Sequence, residues 1–180
     1  LKPMPSSYYT MSNPNTFIIK KGDHQGMITI EVDSTAFLGD SLTITPIYAL
    51  PFYITGADAD SILATKRTAI IAVKYENMLF GNYLHGGVTI IKDPSNNIVE
   101  TITYPTYISQ PEDKIWMLKT VAPNAIVTNG YSDKTSVSKQ ELLLTLNGTN
   151  INISSASGST YVFEPDGSST YNAAKLLQKR

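Results

Sequence analysis

The sequence contains no cysteine among its 180 residues. This absence excludes disulfide bonds, catalysis by a thiolate and the common zinc sites, which rely on cysteine ligands. A eukaryotic secreted domain of this size is expected to carry disulfides. The lack of cysteine therefore favours a bacterial or a cytosolic protein.

Long apolar runs and clusters of like charge are also missing. The longest apolar stretches, such as residues 70–73, are strand-length and far shorter than the roughly 20 residues of a membrane-spanning helix. The 14 basic and 15 acidic residues are scattered along the chain and give a net charge of −1. Without a basic stripe, we expect no binding to nucleic-acid phosphates.

Residue patterns that carry catalysis or hold a cofactor are scarce. His24 lies in a polar turn, and a structural hydrogen-bonding role is preferred to a catalytic one for His85. The chain has neither the G-x-S-x-G pattern of a serine nucleophile nor a glycine-rich phosphate loop. Asp58 and Asp60 are explained by capping of a short helix rather than by calcium binding. We therefore expect no enzyme, no cofactor and no metal site; a glycoside hydrolase would need two carboxylates across a cleft.

The abundant residues are those of β-strands. Tyr, Thr, Ile and Val are frequent, and 11 glycines and 10 prolines interrupt the apolar runs at short intervals. This pattern predicts an all-β sandwich or barrel rather than alternating strands and helices. We expect only one or two helical turns at residues 61–64 and leave the state of residues 173–179 open.

Turn signals predict particular hairpins and a boundary. Asn147-Gly148 predicts a two-residue turn that pairs Leu146 with Thr149. Looser turns predict hairpins that pair residues 16–20 with 27–32 and residues 88–92 with 98–103. Residues 42–54 and 68–75 are predicted as long strands. A glycine-rich break within residues 77–87 suggests two domains, 1–80 and 81–180.

Aromatic residues near Pro, Gly, Asn or Ser are the best candidates for a binding site. An aromatic face beside amide and hydroxyl groups suits sugar rings, because their C–H faces stack while their hydroxyls form hydrogen bonds. Trp116, the lone tryptophan, offers the largest stacking surface. The alternative for each residue is an ordinary place in or beside a strand. The predicted ligand-binding residues are Trp116, Tyr83, His85, Tyr131 and Tyr107.

Two stretches together resemble a known bacterial family. They are residues 48–55, leading through Ala57-Asp58 to residues 61–63, and residues 72–77, followed by residues 81–87. They are similar to secreted Bacteroidetes lipoproteins of unknown function from glycan-utilisation loci, related to N-terminal domains that precede family-18 glycoside hydrolase-like modules. Residues 120–126 through 169–172 resemble the C-terminal domain that follows in this family.

The resemblance implies an immunoglobulin-like or Calx-β-like sandwich followed by a small antiparallel β-barrel or sheet domain. It also implies the outer-membrane surface or periplasm, reached through an N-terminal lipid anchor whose cysteine this sequence lacks. Both ends are expected to be cut relative to family members. If strands are missing, an open sheet edge could pair with a partner chain.

The leading functional hypothesis is a non-catalytic, surface glycan-binding accessory protein of a polysaccharide-utilisation system. Its expected partners are oligo- or polysaccharides and outer-membrane glycan-uptake proteins. The alternative is a structural spacer or protein-interaction module on the cell surface. Aromatics clustered and exposed on one face would favour the first, whereas buried aromatics and exposed sheet edges would favour the second.

Overall fold

A computed structural model describes residues 1–104, 115–135 and 137–176. The chain divides into two compact units, unit 1 (Leu1–Tyr75) and unit 2 (Glu76–Arg180). Strands supply most of the regular structure in the described residues, and the predicted all-β class is confirmed. None of the helices in these ranges is long and apolar enough to cross a bilayer.

Unit 1 contains five strands, one α-helix and three single-turn 3₁₀ helices among its described elements. The strands and the helix are β1 (Lys2–Pro3), β2 (Tyr9–Met11), β3 (Ile30–Val32), α1 (Ser34–Leu38), β4 (Tyr48–Tyr53) and β5 (Thr68–Val73). The 3₁₀ helices are Ser6–Tyr8, Ser41–Ile44 and Ala64–Lys66. One sheet has the order β1-β4-β5, with β1 parallel and β5 antiparallel to β4, and β2 pairs with β3 in another.

Two aspartate side chains act as N-caps of short helical segments in unit 1. Asp33 accepts hydrogen bonds from the backbone N–H groups of Thr35 and Ala36 at 2.9 and 3.0 Å, which begins α1. Asp40 accepts from the N–H of Leu42 and begins the 3₁₀ turn at Ser41–Ile44. The prediction of a strand from residue 42 is therefore wrong at its start, because the cap satisfies the backbone locally.

Other local predictions in unit 1 hold only in part. Residues 16–20 form no strand, and β3 pairs with β2 instead of with that segment. Residues 61–63 are not helical; the turn comes later, at Ala64–Lys66. The core of unit 1 consists of Met4, Phe37, Tyr48 and Leu50.

Unit 2 contains ten described strands and a short helix. They are β6 (Gly81–Leu84), β7 (Gly87–Lys92), β8 (Ile98–Tyr104), β9 (Ile115–Ala122), β10 (Ala125–Val127), β11 (Gly130–Tyr131), β12 (Lys134–Thr135), β13 (Leu142–Asn147), β14 (Asn150–Ser155), β15 (Ser169–Thr170) and α2 (Ala173–Leu176). A six-stranded sheet has the order β15-β14-β13-β10-β9-β6. The pairs β7-β8 and β11-β12 form separate two-stranded sheets.

One face of the six-stranded sheet carries the core of unit 2. Ile126, in the short central strand β10, is completely buried. It lies beside Leu144 of β13 and Thr120 of β9. The buried cluster around it consists of Leu79, Leu118, Ile126, Leu142 and Leu144.

The β13-β14 hairpin forms, but its register differs from the prediction. Asn147 pairs with Asn150, so the two-residue turn is Gly148-Thr149 rather than Asn147-Gly148. Gly148 has φ +59° at the first central position, where a type II′ turn requires glycine. The two-residue shift preserves the alternation, so Leu144 still faces the core.

The β7-β8 hairpin confirms its prediction. Asp93 closes the turn, because its side chain accepts hydrogen bonds from the N–H groups of Ser95 and Asn97. Asn96 takes φ +67°, a conformation that asparagine tolerates better than most residues.

Candidate functional site

Two neighbouring strands of unit 2 position Tyr83 and Trp116. In the antiparallel pair β6-β9, Tyr83 lies directly opposite Trp116, so both side chains are on the same face of the sheet. Gly81 and Leu118 form the next pair on that face, and Leu118 is buried in the core. Both aromatic rings therefore pack against the leucine-rich core and are half-buried.

His85 follows β6 and covers one face of the Trp116 ring. The two ring centroids are 3.8 Å apart and the planes differ by 18°, which is a stacked arrangement. Tyr104, at the end of β8, lies with its ring 4.9 Å from that of His85 at an angle of 40°. We call His85, Trp116 and Tyr104 the aromatic stack.

Gly87 makes room for the third ring of the stack. Gly87 pairs across β7-β8 with Tyr104. A Cβ atom at Gly87 would lie 3.0 Å from the Tyr104 Oη and 3.2 Å from its Cζ, closer than ordinary contacts. Glycine here therefore permits the close approach of the Tyr104 ring.

The indole N–H of Trp116 is buried and finds no acceptor among the described residues. A buried N–H without a partner costs free energy, since it has lost its hydrogen bond to water. Burial also raises the pKa of the neighbouring Tyr83 hydroxyl. A ligand oxygen that reached the indole would satisfy the donor.

The remaining predicted site residues lie elsewhere or outside the described ranges. Tyr131 belongs to a second aromatic cluster, with ring centroids 5.8 Å from Tyr161 and 5.3 Å from Phe163. No ring contact links Tyr131 to the aromatic stack within the described structure. Tyr107 lies in residues 105–114, outside the described residues. The structure thus brings Trp116, His85 and Tyr83 together and adds Tyr104.

A polar cluster in unit 1 was not predicted from the sequence. The Asp40 carboxylate accepts hydrogen bonds from the hydroxyls of Tyr48 at 2.6 Å and Tyr8 at 3.1 Å. The Tyr48 hydrogen bond, followed by that from the Leu42 N–H, lowers the pKa of Asp40. The hydrogen bond to Asp40, with burial, raises the pKa of Tyr48 to about 12. The aspartate before Ser41 is a recognisable cap signal, but no sequence pattern joined it to the tyrosines.

Comparison with known proteins shows a shared fold with one solved structure. A family model described as an N-terminal domain matches residues 1–61. No curated protein matches the sequence significantly. A Bacteroides ovatus protein of unknown function is similar in structure, with a TM-score of 0.64 and 18% identity, over 86% of this chain and 55% of its own.

A second solved structure, described as an auxiliary nutrient binding protein from Bacteroides thetaiotaomicron, has a TM-score of 0.43. It is 16% identical over 86% of this chain and 49% of its own. The chain thus spans about half the length of both structures. At this identity, the likeness to the Bacteroides ovatus protein establishes a shared fold.

Proposed function

We propose that the protein is a non-catalytic binding module for oligo- or polysaccharides, with the aromatic stack as its recognition site. The observation that carries the proposal is the meeting of His85, Trp116 and Tyr104 around an indole N–H that has no acceptor among the residues the structure describes. Sugars supply what such a site needs. Their C–H faces pack on aromatic rings, and their hydroxyl oxygens accept hydrogen bonds.

The surroundings of the stack suit binding rather than covalent chemistry. His85 lies face to face with an indole and next to a phenol, so its ring belongs to an aromatic surface that suits packing against a ligand. The site is built on β6, β8 and β9, and rigid strands hold recognition groups more precisely than loops do.

The cellular setting forms part of the same proposal. A module of this kind would act at the bacterial cell envelope beside outer-membrane glycan-uptake proteins. Membrane attachment would come from a lipid anchor. The resemblance of residues 48–55, 72–77 and 81–87 to secreted Bacteroidetes lipoproteins prompts this part of the proposal.

A spacer or protein-interaction module is the second candidate function. The β7-β8 hairpin carries the apolar residues Val88, Ile90 and Ile98, whose side chains are 58%, 52% and 61% exposed. Exposed apolar surfaces of this kind commonly mark contacts with other proteins. Under this alternative the aromatic stack would only support the fold.

The test is affinity gel electrophoresis against a panel of plant and host polysaccharides, combined with the fluorescence of Trp116. We expect one class of glycan to retard the protein and to change the emission of this single tryptophan. Trp116→Phe keeps a ring but removes the N–H, so binding should weaken about tenfold, the equivalent of one buried hydrogen bond. His85→Ala, which removes a ring of the stack, should weaken binding further.

Tyr53→Ala is the matched control, because Tyr53 is 61% exposed and belongs to unit 1, whereas the stack belongs to unit 2. Its affinity should equal that of the wild type. If the folded protein bound no glycan, or if Trp116→Phe and His85→Ala bound as tightly as Tyr53→Ala, the proposal would be wrong. The absence of any glycan binding would leave the protein-interaction module as the better account.

A further inference from the structure

Strand β5 presents an open backbone edge in unit 1. The Ile54 N–H donates to the Arg67 carbonyl, and hydrogen-bonded pairs alternate along an antiparallel ladder. Ile70 and Ala72 therefore point their N–H and C=O groups away from β4, and no backbone partner for them occurs in the described residues. An extended strand is the structure whose backbone matches such an edge.

The edge lacks the features that normally protect an edge strand. Residues 68–73 contain no charge, no proline and no bulge, and Ile70 and Ile71 are 62% and 49% exposed. The opposite edge of the same sheet is protected, because β1 has only two residues and one of them is Pro3. Native proteins usually block long, flat, apolar edges against pairing.

Several other strands carry such protection. The β7-β8 pair has a register shift at Ile91/Lys92, and Lys92 and Glu100 add charges. Strands β2 and β3 have three residues each and include Glu31. Among the described edges, β5 combines length, an uncharged sequence and a regular ladder.

The sequence of β5 is complementary to itself in one antiparallel register. A twofold axis at Ile71 places Ile71 opposite Ile71 of the second copy and Ile70 opposite its Ala72, so the outward backbone groups meet. Lys74 then lies opposite Thr68. The alternative centre at Ile70 would place Lys74 opposite Lys66, and directly opposed like charges destabilise a strand pair.

We propose that β5 is a self-association site, at which a second copy of this chain adds its own β5 antiparallel around a twofold axis through Ile71. The two three-stranded sheets then join into one continuous sheet, and the exposed Ile70 and Ile71 side chains are covered. The contact is isologous, so it closes at two copies. One strand pair buries a small area, so the dimer is weak and assembles at micromolar concentrations.

Sedimentation velocity of the 180-residue chain at increasing micromolar concentrations tests the proposal. We expect the average mass to rise from one copy towards two. Ile70→Lys should keep the chain monomeric by placing a charge at the contact. Ala72→Pro should do the same by removing an N–H that only the second copy uses, and β4 already tolerates Pro51 at an equivalent position, which does not bond to β5.

Ile90→Lys is the matched control, since it makes the same change at a similarly exposed isoleucine of β7. This variant should dimerise like the wild type. A wild type that stays monomeric at every concentration overturns the proposal. A folded Ile70→Lys variant that dimerises with wild-type affinity also overturns the proposal. This second outcome keeps the test decisive even if Ala72→Pro fails to fold. Neither result bears on glycan binding, because the aromatic stack belongs to unit 2.

Discussion

The two units of this protein build their cores from different chemistry. In unit 2 the buried cluster is purely aliphatic and spread along one face of a six-stranded sheet. In unit 1 the buried cluster includes the Tyr48 phenol, and Tyr8 packs on it with its ring 6.1 Å from that of Phe37. The hydroxyls of both tyrosines donate hydrogen bonds to the Asp40 carboxylate.

Because of this difference, the stability of each unit should depend on a different factor. An aliphatic core gains its stability from burial and packing, which depend on shape and hardly on pH. A carboxylate that accepts two phenolic hydrogen bonds depends on the protonation of all three groups. Core cavities should therefore affect unit 2 most, and pH should affect unit 1 most.

The largest effect is expected from Ile126→Ala. Ile126 is completely buried at the centre of the β9-β10-β13 arrangement, so the substitution leaves a cavity among leucines. We expect the free energy of unfolding to fall by about 2–5 kcal/mol. Urea unfolding followed by Trp116 fluorescence measures it, because the only tryptophan lies in unit 2.

Ile126→Val is the graded control, with an expected loss of about 0.5–1.5 kcal/mol. Equal losses for the two variants would mean that neighbouring side chains fill the cavity at position 126. Tight packing would then not explain the stability of unit 2.

A smaller effect, sensitive to pH, is expected at Asp40. The lowered pKa of Asp40 means that its stabilisation is present above about pH 4 and is lost as the pH falls through that pKa. The pKa of Tyr48 is raised from 10.0 to about 12. The stabilisation that its hydroxyl contributes is therefore fully present below pH 10 and is lost as the pH rises towards 12. Amide hydrogen exchange in unit 1 across both pH ranges measures these losses.

Asp40→Asn should lower the melting temperature by several degrees and flatten both pH dependences. Asparagine has only one side-chain oxygen, and that oxygen cannot accept hydrogen bonds from both tyrosine hydroxyls and from the Leu42 N–H at once. Asp33→Asn is its matched control, since that side chain accepts hydrogen bonds from backbone N–H groups and asparagine caps helices equally well. The same pH response in both variants would show that the tyrosine contacts do not cause it.

The smallest effect is expected from Gly148→Ala. A non-glycine residue at φ +59° costs about 1 kcal/mol, and the Cβ atom itself would meet no neighbour within 4 Å. Gly148→Asn should recover part of the loss, because asparagine tolerates this conformation. Chemical denaturation of both variants measures the difference. If alanine and asparagine had the same effect, backbone strain at the turn would not be its cause.

Patterns that depend on neighbouring residues were predictable from the sequence. The β7-β8 hairpin followed from its turn residues, and the face of β13 that carries Leu142 and Leu144 followed from strict alternation. The exact register of β13-β14 was not, because both Asn147-Gly148 and Gly148-Thr149 place glycine in a two-residue turn. The capped turns at Asp33 and Asp40 competed with strand-like sequence, and the caps prevailed.

Long-range contacts were beyond the sequence. Trp116 and His85 were each plausible candidates, but only the antiparallel register of β6 and β9 makes them stack, and only β8 brings Tyr104 to them. Asp40 and Tyr48 are near in sequence, whereas Tyr8 joins them across 32 positions.

By itself the sequence determined the all-β class, the aliphatic face of the β13-β14 hairpin and the aromatic residues available for binding. These properties follow from side-chain period and turn chemistry, which act over a few residues. Only the tertiary structure decided which aromatics meet, which carboxylate accepts hydrogen bonds from two phenols and which strand edge is open among the described residues. Those outcomes depend on strand order and register, which are set by packing between segments far apart in the chain.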